Sequence, residues 1–152
     1  MCGLTVLQQM SGNNIIPHES KIYLNKPYVQ LFWNPIDHIL TNRWTGFCTS
    51  EEILAVGNRI LDAVAFEKAQ KVLYDAKQIE MLDESSQKYI SGNFAYEMVG
   101  AGVKFAATVF PEDVLAKFSI NDIQKKLGKF NTSSTINFFN SVNGAYNWLK
   151  TQ

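Results

Sequence analysis

The sequence predicts an α/β domain built on a mixed β-sheet of about five strands with helices packed against it. Three observations carry that expectation. Apolar and polar residues alternate from Tyr28 onward as they do in half-buried strands, and apolar stripes at helical spacing then take turns with short apolar runs. The length suffices for one core, since 152 residues with 46% apolar content bury about 70% of their extended surface on folding.

The segment Ser11-Gly12-Asn13-Asn14 is small and polar, so residues 1–20 are expected to form a loosely ordered arm and 21–152 a single domain. Val29, Leu31 and Trp33 alternate with Gln30, Phe32 and Asn34, and a second run follows over 38–44. Asn34-Pro35-Ile36-Asp37 between them supplies turn chemistry, because proline fixes φ and Asn or Asp bonds its own backbone. The two runs predict a hairpin.

Thr49 and Ser50 precede Glu51 and Glu52, which gives a helix start with a capping hydroxyl and acids at the positive end of the dipole. Ile53, Val56, Ile60 and Val64, joined by Leu54 and Leu61, form its apolar stripe. Gly57 lies among them and weakens the helix by about 1 kcal/mol relative to Ala unless a close approach compensates. It reads as a packing glycine. A short strand over 72–74 ends on Asp75, and Asp83 caps a helix on which Ile90, Phe94 and Met98 share a face before Gly100 and Gly102 end it.

The stretch 103–110 is almost continuously apolar, as in a central strand covered on both faces. Pro111-Glu112-Asp113 opens another helix, and Ser119-Ile120-Asn121-Asp122 resembles a capping box that restarts it before Gly128 stops it. A last strand over 136–139 and a closing helix over 143–149, anchored by Trp148 and Leu149, complete the order ββαβαβαβα.

Composition narrows the function classes. Fourteen basic and fourteen acidic residues cancel without a basic block, so the field that attracts a phosphodiester backbone is missing and nucleic acid is not an expected partner. Two cysteines, Cys2 and Cys48, and two histidines, His18 and His38, are too few and too scattered for a disulfide framework or a metal cluster. No cofactor motif is present. A reduced cytoplasm fits this cysteine usage, and no apolar run approaches the roughly 20 residues that cross a bilayer.

Candidate chemistry is sparse. Met1-Cys2-Gly3-Leu4 would expose Cys2 after loss of Met1, with its own α-amine as base, as in N-terminal-nucleophile glutamine amidotransferases. The polar continuation lacks the strand layers such a site needs, so an enzyme is not expected. Trp33, Trp44, Tyr89 and Tyr96 have the spacing of core aromatics more than of a cleft. Glu51, Glu52, Glu112 and Asp113 stand in helix first turns, where the dipole accounts for them. The remaining feature is Lys71-Val72-Leu73-Tyr74-Asp75 followed by Asp83-Glu84-Ser85-Ser86, a strand ending on an acid near a helix start. Free N–H groups at that start would stabilise a phosphate on Ser85 or Ser86.

With these elements in order, residues 28–149 resemble the SpoIIAA-like superfamily, which holds the STAS domains of anti-sigma-factor antagonists and related small bacterial STAS/CRAL-TRIO-like proteins. The carriers are the strand through Asp75, the Asp83-Glu84-Ser85-Ser86 start, the run 103–110 into Pro111-Glu112-Asp113-Val114, and the terminal Phe139, Ala145, Trp148 and Leu149. The resemblance implies a non-enzymatic regulatory domain with a protein partner, a second copy of itself among the possibilities. It also implies a control surface at Asp75, Asp83, Glu84, Ser85 and Ser86. Antagonists of this family carry a phosphorylated serine directly after the aspartate, where this chain has Glu84, so the resemblance implies serines shifted by one place, a fixed negative charge supplied by Glu84, or a phosphoswitch that has been lost, of which loss is the favoured expectation. The lipid-transfer branch implies an alternative, a hydrophobic ligand held by Phe94, Met98, Phe105, Phe110 and Phe118.

Overall fold

The computed structural model describes residues 16–129 and 134–152. Six strands lie side by side in chain order: β1 (Lys21–Lys26), β2 (Val29–Asn34), β3 (Ile39–Gly46), β4 (Lys71–Ile79), β5 (Phe105–Val109) and β6 (Thr135–Phe139). The first three form an antiparallel meander and the last three add in parallel. Each parallel step needs a crossover, and crossovers of one hand along a sequential sheet put their helices on one face. These are α1 (Ser50–Glu67), a run made of α2 (Glu84–Tyr89), a π-helical turn (Ile90–Phe94) and α3 (Ala95–Gly100), and α4 (Val114–Leu127). The terminal α5 (Val142–Lys150) follows the last strand and returns over the opposite face, where Ala145 and Leu149 pack on Ile39, Leu73, Ala107 and Val109.

The helix on the first face starts as its sequence dictates. The Thr49 hydroxyl accepts from the Glu52 N–H at 3.2 Å while the Glu52 carboxylate accepts from the Thr49 N–H at 2.9 Å, a reciprocal cap. Ile53, Val56, Ile60 and Val64 are buried against the sheet. The 34–37 turn is locked by the Asn34 side-chain oxygen, which accepts from the N–H groups of Ile36 and Asp37 at 2.9 and 3.1 Å.

Three expectations need correction. The sheet has a sixth strand, β1, whose sequence Lys-Ile-Tyr-Leu-Asn-Lys leaves most positions exposed or half-exposed, as a charged edge strand should. It is tied to the end of α1 by Lys21 and Tyr23, both hydrogen bonded to Glu67. β4 does not stop at Asp75 but runs on to Ile79, because Arg43 on β3 stands in register with that acid and pairs with it. α4 is continuous, so Ser119 restarts nothing; its hydroxyl donates to the carbonyl of Leu82 at 3.3 Å. The arm expected over 1–20 lies mostly outside the described residues, and Ile16 within it is fully buried.

Candidate functional site

The strand pattern decides which side chains meet beneath the helices. Asn42, Tyr74, Thr108 and Phe138 are consecutive partners across β3, β4, β5 and β6, so they share a face and form one row of its floor. Above them stand Ile53, Gly57 and Ile60 of α1, Tyr89 at the end of α2, Ile90 and Phe94 of the π-helical turn, Met98 of α3, and Ile120 and Ile123 of α4. Between floor and roof is an apolar cavity of about 120 Å³. It persists because Ala76, Ala95 and Ala106 occupy lining positions where longer side chains would fill it. The π-helical turn, a device common at functional sites, delivers Ile90 and Phe94 to the roof, and the Phe94 ring lies 6.2 Å from that of Tyr74 and 5.7 Å from that of Tyr89.

Polar atoms in this lining are few and two of them are unpaired. Asn42 is 1% exposed and its amide oxygen accepts from the indole N–H of Trp44, yet its Nδ2 makes no hydrogen bond. The Tyr89 hydroxyl is likewise buried without a partner. It occupies the space a side chain at position 57 would need, since a Cβ there would fall 2.3 Å from the hydroxyl oxygen. Gly57 is therefore a close-approach glycine, and the approaching group is Tyr89. Burial raises the phenol pKa values of both Tyr74 and Tyr89, the latter with help from Glu97, so both stay neutral at physiological pH. Among the described residues, no charged side chain borders the cavity.

The acid-capped surface is arranged differently from the expectation. Asp83 caps α2 by accepting from the Ser86 N–H at 2.7 Å, worth about 1 kcal/mol. Glu84 and Ser85 are exposed, whereas Ser86 is 1% exposed and cannot meet a kinase without local unfolding. Asp75 is no surface marker at all. It is 6% exposed on the α5 side of the sheet, where it accepts from Arg43 Nε at 3.2 Å and from the Lys77 N–H at 3.1 Å. Asp75 and the Asp83–Ser86 start thus do not form one site.

Of the five residues expected to hold a hydrophobic ligand, Phe94 and Met98 border the cavity. Strand alternation puts Phe105 on the opposite face, its ring edge-on to Trp148 at 6.2 Å. Phe110 lies past the end of β5 with its ring 5.5 Å from that of Phe138, and Phe118 points outward from α4, 63% exposed. Tyr96 is also exposed rather than core, while Trp33 and Trp44 are buried in the main core. Sequence reasoning passed over Asn42, although a polar residue between Leu40 and Trp44 on an inward-facing register was a visible signal.

Cys48 is fully buried and its thiol is pushed up to about 11 by burial and by Glu52, which makes it a poor nucleophile. Cys2 lies outside the described residues. His38 turns the chain at φ 57° and packs its ring on Trp33 at 5.8 Å, and His18 is exposed. Among the described residues, no three of His, Cys, Asp and Glu come together as a metal site would require, and no helix is long and apolar enough to cross a membrane.

The chain has a SpoIIAA-like fold. It is similar to the crystal structure of an uncharacterized protein of the DUF3478 family, with a SpoIIAA-like fold, from Shewanella loihica PV-4. The TM-score is 0.52 and the identity 16%, over 86% of this chain and 91% of that one. No family model matches the chain, and no curated protein does.

Proposed function

We propose that this is a non-enzymatic cytoplasmic domain that takes a small hydrophobic ligand into the cavity between sheet and helices. The cavity itself carries the reading. An apolar space of about 120 Å³ leaves its lining side chains without packing partners on one side, contacts that a ligand would supply. Its size sets the scale of that ligand. An engineered apolar cavity of about 150 Å³ admits benzene, whereas drug-sized ligands occupy about 300–1,000 Å³. One ring suits this space and a long acyl chain does not. The test is a methyl-resolved NMR titration with benzene. Ile53, Ile60, Met98, Ile120 and Ile123 are expected to shift while Ile39, Leu73 and Leu149 on the other face stay fixed; no saturable shift in the first group would sink the reading.

A second reading, contact with a protein partner, draws on a different observation. Phe47, Met81, Val114, Leu115 and Phe118 are all about half exposed or more. Gly46 and Glu80 are joined by a backbone hydrogen bond of 3.0 Å, and Leu82 accepts from Ser119 of α4, so these side chains gather at the ends of the parallel strands. The exposed Glu84 and Ser85 lie beside them, Glu84 giving a fixed charge where the related switch has a serine. Self-association through this rim predicts a dimer that Phe118→Asp converts to monomer. Sedimentation equilibrium showing the wild type monomeric at 100 μM or so, an ordinary working concentration for weak dimers, would remove the second-copy form of this reading.

A further inference from the structure

We propose that the ligand of this cavity is a neutral monocyclic compound bearing one carbonyl-type oxygen, which accepts a hydrogen bond from Asn42 Nδ2 and meets the Tyr89 hydroxyl as its second polar contact. This rests on the reading of the cavity as a ligand site and names what that site selects. The direction of the Asn42 amide follows from its neighbour. An indole N–H only donates, so the bond from Trp44 must end on Asn42 Oδ1, and the other end of the amide is left as a pure donor. A buried donor without a partner is costly, and most such groups in folded proteins are satisfied by protein or water. Here the donor is 1% exposed and borders an apolar space. What completes it must therefore offer an acceptor on an otherwise apolar body.

Charge is selected against by the same surroundings. Among the described residues, no Lys, Arg or His borders the cavity to balance a carboxylate, and no Asp or Glu borders it to balance an amine, so either ion would lose its hydration without return. The tyrosine hydroxyls answer in the same sense, with burial holding Tyr74 and Tyr89 in their neutral forms. Gly57 adds a geometric element. Without a side chain there, the Tyr89 hydroxyl reaches the wall of the cavity, where it is free to donate or accept, so it supports a carbonyl without restricting the rest of the ring.

Three probes of similar size separate the possibilities: acetophenone, ethylbenzene and benzoate, each titrated by calorimetry into the full chain. Acetophenone is expected to bind about tenfold more tightly than ethylbenzene, the ratio that one net hydrogen bond to a buried donor supplies, and benzoate more weakly than both. The carbonyl stretch of bound acetophenone should fall below its frequency in hexane, a signature that needs no variant. Asn42→Leu should bring the two affinities together, and Tyr89→Phe should reduce their ratio in part. Equal binding of acetophenone and ethylbenzene, an unshifted carbonyl stretch, or tighter binding of benzoate would each overturn the inference while leaving a ligand cavity in place. Failure of all three probes to bind would overturn both.

Discussion

Beneath α5, the buried polar groups of the sheet are paired with one another. Asp75 bonds to Arg43 and to the Lys77 backbone, Arg43 also bonds Gln30 at 2.9 Å, and Asn34 and Asp37 both bond the Tyr146 hydroxyl. Beneath the other helices, Asn42, Ser86 and Tyr89 each hold a buried atom with no partner. One sheet thus carries two kinds of interior. The difference teaches where register and packing are fixed, since paired polar groups hold both, and where buried polar atoms stand open, since Asn42 and Tyr89 border the cavity. Helix coverage follows the same division. Among the described residues, one nine-residue helix closes the paired face, and the longer, π-interrupted layer leaves room on the other.

If the paired face is the structural one, breaking it should have the largest effect. Asp75→Ala removes the carboxylate facing a guanidinium that is only 9% exposed, and losing one partner of a buried ion pair costs about 3–5 kcal/mol. The expected outcome is a fall of at least about 3 kcal/mol in unfolding free energy by urea titration, with the benzene-induced shifts of the cavity methyls preserved in whatever fraction stays folded. A change below about 1 kcal/mol, the ceiling for an exposed pair, would mean that Asp75 belongs to the surface after all and that the two faces are not divided as described.

The sheet and its helices were legible because their signals are local. Alternation at 29–34, the Thr49 and Asp83 caps and the α1 stripe depend on residues a few places apart. β1 was not legible, since an edge strand between Lys21 and Lys26 has little apolar pattern and is held by Glu67, more than forty residues away. The continuation of β4 was hidden by Asp75, which reads as a terminator until Arg43 is known to stand beside it. Ser119 and Asp122 imitate a helix start, whereas the Ser119 hydroxyl faces the carbonyls of Leu82 and Leu115. The cavity was partly legible: Phe94 and Met98 were marked, but helical and strand periods tell which residues face inward and not whether they touch. That is why Phe105, expected at a hydrophobic ligand, stands on the opposite face against Trp148. Gly57 could be read as a close approach from its place in the α1 stripe, though the group that approaches, Tyr89, could not.

That pair gives the smaller and more discriminating prediction for the cavity face. Gly57→Ala gains about 1 kcal/mol of helix propensity, but its Cβ would stand 2.3 Å from the Tyr89 hydroxyl oxygen, with the ring carbons at 3.0 and 3.1 Å, and overpacking of this kind costs about 1–3 kcal/mol. The single variant should therefore be destabilised by roughly 1 kcal/mol, the difference of those terms. Tyr89→Phe alone should be neutral or slightly stabilising, because it deletes an unpaired buried hydroxyl rather than a bond. Once the hydroxyl is gone the clash is mostly relieved, so Gly57→Ala in the Tyr89→Phe background should change sign and stabilise. A double-mutant cycle reads this directly as a coupling of about 1 kcal/mol or more. Additive effects would place the hydroxyl elsewhere than against Gly57. A cost of about 1 kcal/mol for Tyr89→Phe by itself would show that the hydroxyl is already satisfied in the unliganded protein, and the contrast between the two faces of the sheet would then rest on Asn42 and Ser86 alone.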